Sequence, residues 1–228
     1  MWETGAWFDK LLDIDETDSS MNGDSTISAV HGRLDLFINF RKIYTMKENK
    51  ALLVMDMQIA ILKGLEDAET LISQTADAIA YARSSNLQII FVKVEFRYGA
   101  PEIHTNNKIF GGSKQRYLTP NMEEMMMIHP GLNPAADDII VSKRRVSAFS
   151  GSDLEIVLRA NEINHIILTG MSASGVVLST LREAADKDYL LTVLSDCCGD
   201  RDPEVKGVLM EKIFPMQADV LTLKQWKS

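Results

Sequence analysis

Residues 164–188 read NHIILTGMSASGVVLSTLREAADKD, and this stretch decides the fold. It begins with an apolar run, Ile166-Ile167-Leu168, of the kind a buried β-strand needs, and turns at Thr169-Gly170. It then carries Val176, Val177, Thr180, Leu181, Ala184 and Ala185 at i, i+1, i+4, i+5, i+8 and i+9. That spacing is one inward face of a helix. A strand, a tight glycine turn and a helix make half of a βαβ unit. Such units bind ligands beyond the carboxyl end of the strand, at the helix N-terminus. The first N–H groups of the helix lack backbone partners and attract a carbonyl, a carboxylate or a developing oxyanion. Ser172 and Ser174 are small N-cap candidates that leave room for a ligand there.

The alternation continues on both sides. Residues 51–55 (ALLVM) are a continuous apolar run, as for a strand buried on both faces, and lead into Asp56-Met57-Gln58. A carboxylate at the carboxyl edge of a buried strand sits where α/β sheets place their chemistry. The plainer alternative is an Asp that caps the next segment, and position alone leaves both open. Residues 71–82 predict an amphipathic helix through Leu71, Ile72, Thr75, Ala76, Ile79 and Ala80. A strand over 88–94 follows, then a long polar stretch over 95–114 with Arg97, Tyr98, His104, Asn106 and Asn107. A loop that long is a lid or binding loop, or else it is disordered. Met125, Met126 and Met127 read as gap-filling packing, the alternative being an adaptable pocket wall.

Residues 138–141 predict a third strand, closely followed by Lys143, and 147–151 a turn. Ser152 is expected to cap a helix through Leu154, Val157, Leu158 and Ala160, with Glu155 completing a capping box. Beyond the central stretch come a strand over 189–194 and a polar loop over 195–202. A helix opened by Pro203 then ends about Ile213, and a last strand covers 218–223. No internal repeat or low-complexity tract is present. The fold class is α/β, a mostly parallel sheet covered by helices on both faces.

With 228 residues, the chain has room for one α/β domain with a sizeable core, or at most two small ones. A net charge of −8 with no basic patch excludes nucleic acid and an anionic membrane surface as partners. No apolar run is long enough to span a bilayer, and no basic-then-apolar leader opens the chain. The two cysteines, Cys197 and Cys198, are adjacent and give no sign of an oxidising compartment, so a cytoplasmic setting is expected. Residues 1–45 stand apart, with eight acids, four bases and a polar, aperiodic centre. They are expected to form a loosely attached extension, with residues 46–228 as the domain.

Three strand ends thus carry chemistry: Asp56, Lys143 and the turn over 170–176. An Asp and a Lys brought together in a dry cleft hold each other ionised. The Asp can serve as general acid or base, the Lys stabilises developing negative charge, and the turn's N–H groups offer an oxyanion site. The alternative is a structural Asp–Lys pair with no turnover.

At these residues the chain resembles the isochorismatase-like hydrolases. The matching blocks are Leu53-Val54-Met55-Asp56-Met57-Gln58, Val141-Ser142-Lys143 with Ser147-Ala148-Phe149, and Ile167-Leu168-Thr169-Gly170-Met171-Ser172-Ala173, in family order and covering about residues 48–223. The resemblance implies a Rossmann-like three-layer sandwich with six mostly parallel strands. It also implies Asp56 and Lys143 as active-site residues, a non-proline cis peptide near Met171-Ser172, a small-molecule substrate, and a homo-oligomer, dimer or larger.

One departure matters. Most of the family are cysteine hydrolases of amides, with a pattern like Gly-Val-Ala-Thr-x-x-Cys-Val. Laid without gaps on residues 170–177, the cysteine column falls on Val176. Cys197 and Cys198 lie beyond the following strand and are expected to be buried structural thiols, and Ser174 is out of register. Isochorismatases proper lack the cysteine; they use the Asp as an acid on a vinyl ether, and water completes the hydrolysis. The leading expectation is therefore an acid–base hydrolase without a cysteine nucleophile. In it Asp56 and Lys143 are catalytic, while Gln58, Arg97, Asn107, Phe149, Met171, Ser172, Ser174, Gly175 and Val176 bind substrate. The alternatives are a catalytically inactive binding protein of the same fold and, third, a cysteine-type amidase. No cofactor or metal is expected: in place of the Asp-x-His-x-x-His cluster of nicotinamidases the chain offers only Glu102 and His104.

Overall fold

The computed structural model describes residues 49–118 and 121–228. The expected extension over 1–45 lies outside the described residues. Six strands, β1 (Lys50–Met55), β2 (Gln88–Val94), β3 (Ile139–Lys143), β4 (His165–Met171), β5 (Leu190–Gly199) and β6 (Asp219–Leu221), form one sheet in the order β3-β2-β1-β4-β5-β6. Every neighbouring pair is parallel. The strand order reverses between β1 and β4, so a crevice opens beyond their carboxyl ends.

Side chains of β1 alternate between two cores, as a pleated strand requires. Leu53 and Met55 pack with Leu154 and Leu158 of α2 (Leu154–Ala160), with Val176 and Val177, and with Leu181 and Ala184 of α3 (Leu178–Asp186). Leu52 and Val54 pack with Leu71, Ile72 and Ile79 of α1 (Ala68–Ser84). The sheet therefore has a helical layer on each side, which is the three-layer α/β sandwich expected. Among the described residues no helix is long and apolar enough to cross a membrane.

Several boundaries differ from expectation, each for a local reason. In α1, Ala78 and Ala82 turn inward and Ala80 is exposed, because the 3.6-residue period drifts the stripe over seventeen residues. The stretch 195–199, expected as loop, continues β5. A register shift lets Gly170 pair with Cys198 and Met171 with Gly199. Asp202 then caps α4 (Pro203–Val208) by accepting hydrogen bonds from the N–H groups of Glu204 and Val205. A wider turn, Leu209–Ile213, completes this helix.

Ser152 does not cap α2 in a capping box. Its hydroxyl donates to the Ala148 carbonyl and accepts from the Leu154 N–H, while Glu155 pairs with Lys187. The last strand stops at Leu221 because Thr222 and Gln225 form a capping box that starts α5 (Leu223–Trp226).

Gly170 is demanded by geometry. Its φ is +141°, and a Cβ there would meet the Met55 carbonyl oxygen at 2.1 Å, so only glycine lets β4 lie this close to β1.

Candidate active site

The crevice between the ends of β1, β3 and β4 encloses about 500 Å³. Asp56 is the first residue beyond β1. Its φ of +56° is left-handed, a conformation an Asp tolerates better than most residues. Its N–H donates to the Val92 carbonyl at 2.8 Å, which fixes the bend. Lys143, the last residue of β3, runs its stem through the protein with only 1% of its side chain exposed. Its Nζ lies 2.9 Å from Asp56 Oδ2 and donates to the carbonyls of Arg145 and Val146 at 2.8 and 3.0 Å. The three ammonium donors thus have three acceptors.

The second carboxyl oxygen of Asp56, Oδ1, is buried and has no partner among the described residues. Burial pushes the Asp56 carboxyl up to about 6, against the pull of the Lys143 charge. A carboxyl near neutrality, held against a fixed ammonium and with one oxygen uncommitted, can donate and recover a proton.

The turn after β4 forms the far wall. The peptide Met171-Ser172 is cis, as the resemblance implied, and Met171, Ser172, Ser174, Gly175 and Val176 all line the cleft. The helical turn that begins there is wide, Ala173–Val177, and leads into α3. Its N–H groups are less open than expected. Gly175 and Val177 donate to the Ser172 carbonyl at 3.2 and 3.1 Å. Ser174 donates to the Asp200 carboxylate at 2.7 Å. Asp200 therefore holds the position at this helix start that was expected for a substrate oxygen.

The loop that carries Lys143's two carbonyl acceptors is anchored from α3. Ser147 Oγ donates to Glu183 at 2.5 Å, and the Ala148 N–H donates to Thr180 Oγ1 at 2.9 Å.

Four residues expected to line the pocket do not. Gln58 is fully buried beside it as a structural clamp. Its amide nitrogen donates to the carbonyls of Val94 and Met126, and its amide oxygen accepts from the Val94 N–H. Arg97 is largely exposed and pairs with Glu102 at 2.6 Å, which also draws Arg144. Asn107 turns its side chain onto its own loop, accepting from the N–H groups of Ile109 and Phe110. Phe149 packs in the core against Tyr189.

In their place the cleft is lined by Asp200 and Arg201, just past β5, and by Val146, Ile109 and Phe110. The rule that picked out Asp56, a carboxylate at a strand's carboxyl end, applies equally to Asp200. Ending β5 at residue 194 hid it.

Neither thiol lines the cleft. Cys197 and Cys198 are fully buried, on opposite faces of the sheet. Burial raises both, Cys198 to about 12. Among the described residues no group of three or more His, Cys, Asp or Glu side chains is placed to hold a metal ion.

Comparison with known proteins bears on the fold and the family. The isochorismatase domain matches residues 50–225. The ureidoacrylate amidohydrolase RutB of Yersinia enterocolitica is 31% identical over 198 residues, 75% of this chain and 86% of its own. An isochorismatase family protein from Burkholderia thailandensis superposes with a TM-score of 0.68 at 27% identity, covering 79% of this chain and 95% of its own. A cysteine hydrolase from Pseudomonas syringae shares the fold, with a TM-score of 0.71 at 20% identity over 78% of this chain and 91% of its own. With residues 50–225 matched by the family and most of the length of both chains covered in a relative 31% identical, the chain belongs to the isochorismatase family and is a hydrolase.

Proposed function

We propose that the protein hydrolyses a small molecule by acid–base chemistry centred on Asp56 and Lys143, with no cysteine nucleophile. The observation that carries this reading is the buried 2.9 Å pair whose Asp56 Oδ1, beside the cleft, has no partner among the described residues. Protonated Asp56 gives its proton to the substrate as the bond to the leaving group is activated. Water then adds to the electron-poor carbon and gives a proton back to Asp56, and the adduct collapses with cleavage of the bond to the leaving group, which departs carrying one proton, so the cycle closes. The Lys143 ammonium stabilises the carboxylate left after each transfer. Ser172, Ser174, Gly175 and Val176 line the wall against which the reacting oxygen lies, and such an oxygen competes with Asp200 for the Ser174 N–H. The ureidoacrylate amidohydrolase relative makes a C–N bond next to a carbonyl one class to test, and a vinyl ether is the other.

A second reading, a binding protein without turnover, is favoured by Val176, which lines the cleft at the position where the resemblance to the family implies a nucleophile. The proposal extends to a cytoplasmic setting, in keeping with two free buried thiols, and to a homo-oligomer.

The test is a panel of small esters, amides and enol ethers with wild type and Asp56→Asn. The expected result is turnover of at least one class by wild type, and its loss by about 10²-fold or more in the variant. Ligand binding by the variant should be retained. A wild type that binds members of the panel but turns over none would support the second reading instead.

A further inference from the structure

The cleft does not end at Asp56. A second cavity of about 610 Å³ opens from it, and Ile61, Val94, Ile109, Phe110 and Arg201 line both. Apart from Lys63, its remaining wall is apolar and soft. Tyr117, Met122, Met125 and Met126 line it. Behind them Phe96 meets Phe110 and Tyr117 edge-on, with ring centroids 5.3 and 4.8 Å away.

This wall is fastened to the segment that carries Asp56. Gln58 donates to the Met126 carbonyl, the Ile59 N–H donates to that of Met127, and the His129 N–H donates to that of Met57. Arg201 marks the junction of the two cavities, held by the carbonyls of Ile61 and Lys63 at 3.0 and 3.3 Å. At the mouth Ile109 stands 66% exposed.

We propose that the substrate carries an apolar alkyl or aryl tail. The tail lies between Phe110, Tyr117, Met122 and Met125 while the hydrolysable group meets Asp56 and Lys143. This rests on the hydrolytic reading of the Asp56 cleft. Continuity of the two cavities is what assigns the groove to substrate: a molecule reacting at Asp56 can extend nowhere more apolar. Methionine and edge-on aromatic walls adapt to tail shape, so the groove selects for apolar area rather than for one outline.

The test uses the full chain and three neutral amides, butanamide, hexanamide and 4-phenylbutanamide, with affinity read by ligand-observed NMR. Expected affinity rises with tail size, by about fourfold for each CH₂ that is buried. Met122→Glu and Met125→Glu change half-buried side chains that line the second cavity and not the Asp56 cleft, and both should abolish the rise while leaving butanamide binding unchanged. Equal affinity across the series would overturn the assignment, including the case in which residues 1–45 or a second copy fill the groove. A rise that persists in both variants would overturn it as well. Hydrolysis followed on the same samples separates this proposal from the one beneath it. Rising affinity without turnover keeps the groove and removes the hydrolytic reading. Turnover with flat affinity keeps hydrolysis and removes the groove.

Discussion

At the scale of single residues, the account turns on a carboxyl whose charge is made costly by burial. Asp56 sits at about 6 rather than 3.8, so the folded state holds its proton more tightly than the unfolded chain. Its contribution to stability is fully present below pH 3.8 and is lost as pH rises through about 6. Activity should follow the same group. As the proton donor is deprotonated, kcat/KM is expected to fall tenfold per pH unit above about 6, and this limb should be absent from the residual rate of Asp56→Asn. The thiols make a complementary prediction. Iodoacetamide treatment of the native protein should leave activity unchanged, because both sulfurs are buried and raised. Loss of activity in step with thiol modification would place a cysteine in the mechanism.

Asp56 and Lys143 were legible in the sequence because strand ends in α/β sheets carry function, and both sit at such ends. Arg97 and Asn107 were not. Their partners, Glu102 and the N–H groups of 109 and 110, are close in the chain, and nothing in residue type tells a side chain turned onto its own loop from one facing a ligand.

At the scale of elements, two contacts set the geometry of the site. Gly170 lets β4 pass close to β1. In Gly170→Ala the new Cβ would strike the Met55 carbonyl, in a backbone conformation alanine avoids. A loss of about 3 kcal/mol or more in a denaturant titration is expected. The second contact is the bond from Ser147 to Glu183, which ties the loop holding Lys143 to α3. Ser147→Ala should destabilise by about 1–3 kcal/mol. It should also lower kcat by more than it alters KM, because Lys143 loses the fixed carbonyls of Arg145 and Val146. An unchanged kcat would mean the loop holds its shape without the clamp.

Apolar runs located the six strands, and periodicity located the longer helices of both faces, since burial on one face of a helix leaves a repeat that can be counted. It failed where a polar sequence is buried by pairing. Residues 195–199 look like loop but extend β5, and that extension carries Asp200 to the cleft.

At the scale of the whole molecule, the reversal of strand order between β1 and β4 gathers residues 56, 143, 172–176 and 200 from four strand ends into one crevice. Alternation of strands and helices implies a parallel sheet but not its order, so which ends would meet came from the family resemblance. The groove beside Phe110 was hidden for the same reason. The methionines read as packing until the chain brought them alongside the aromatic residues of the 95–118 stretch.

The most direct test compares two variants on the best substrate of the hydrolysis panel, Cys197→Ala/Cys198→Ala and Asp56→Asn, with folding of each checked by thermal melting. The thiol-free protein is expected to keep its rate per folded molecule, while Asp56→Asn should lose about 10²-fold or more. The reverse pattern, a dead thiol-free protein and an active Asp56→Asn, would contradict the account.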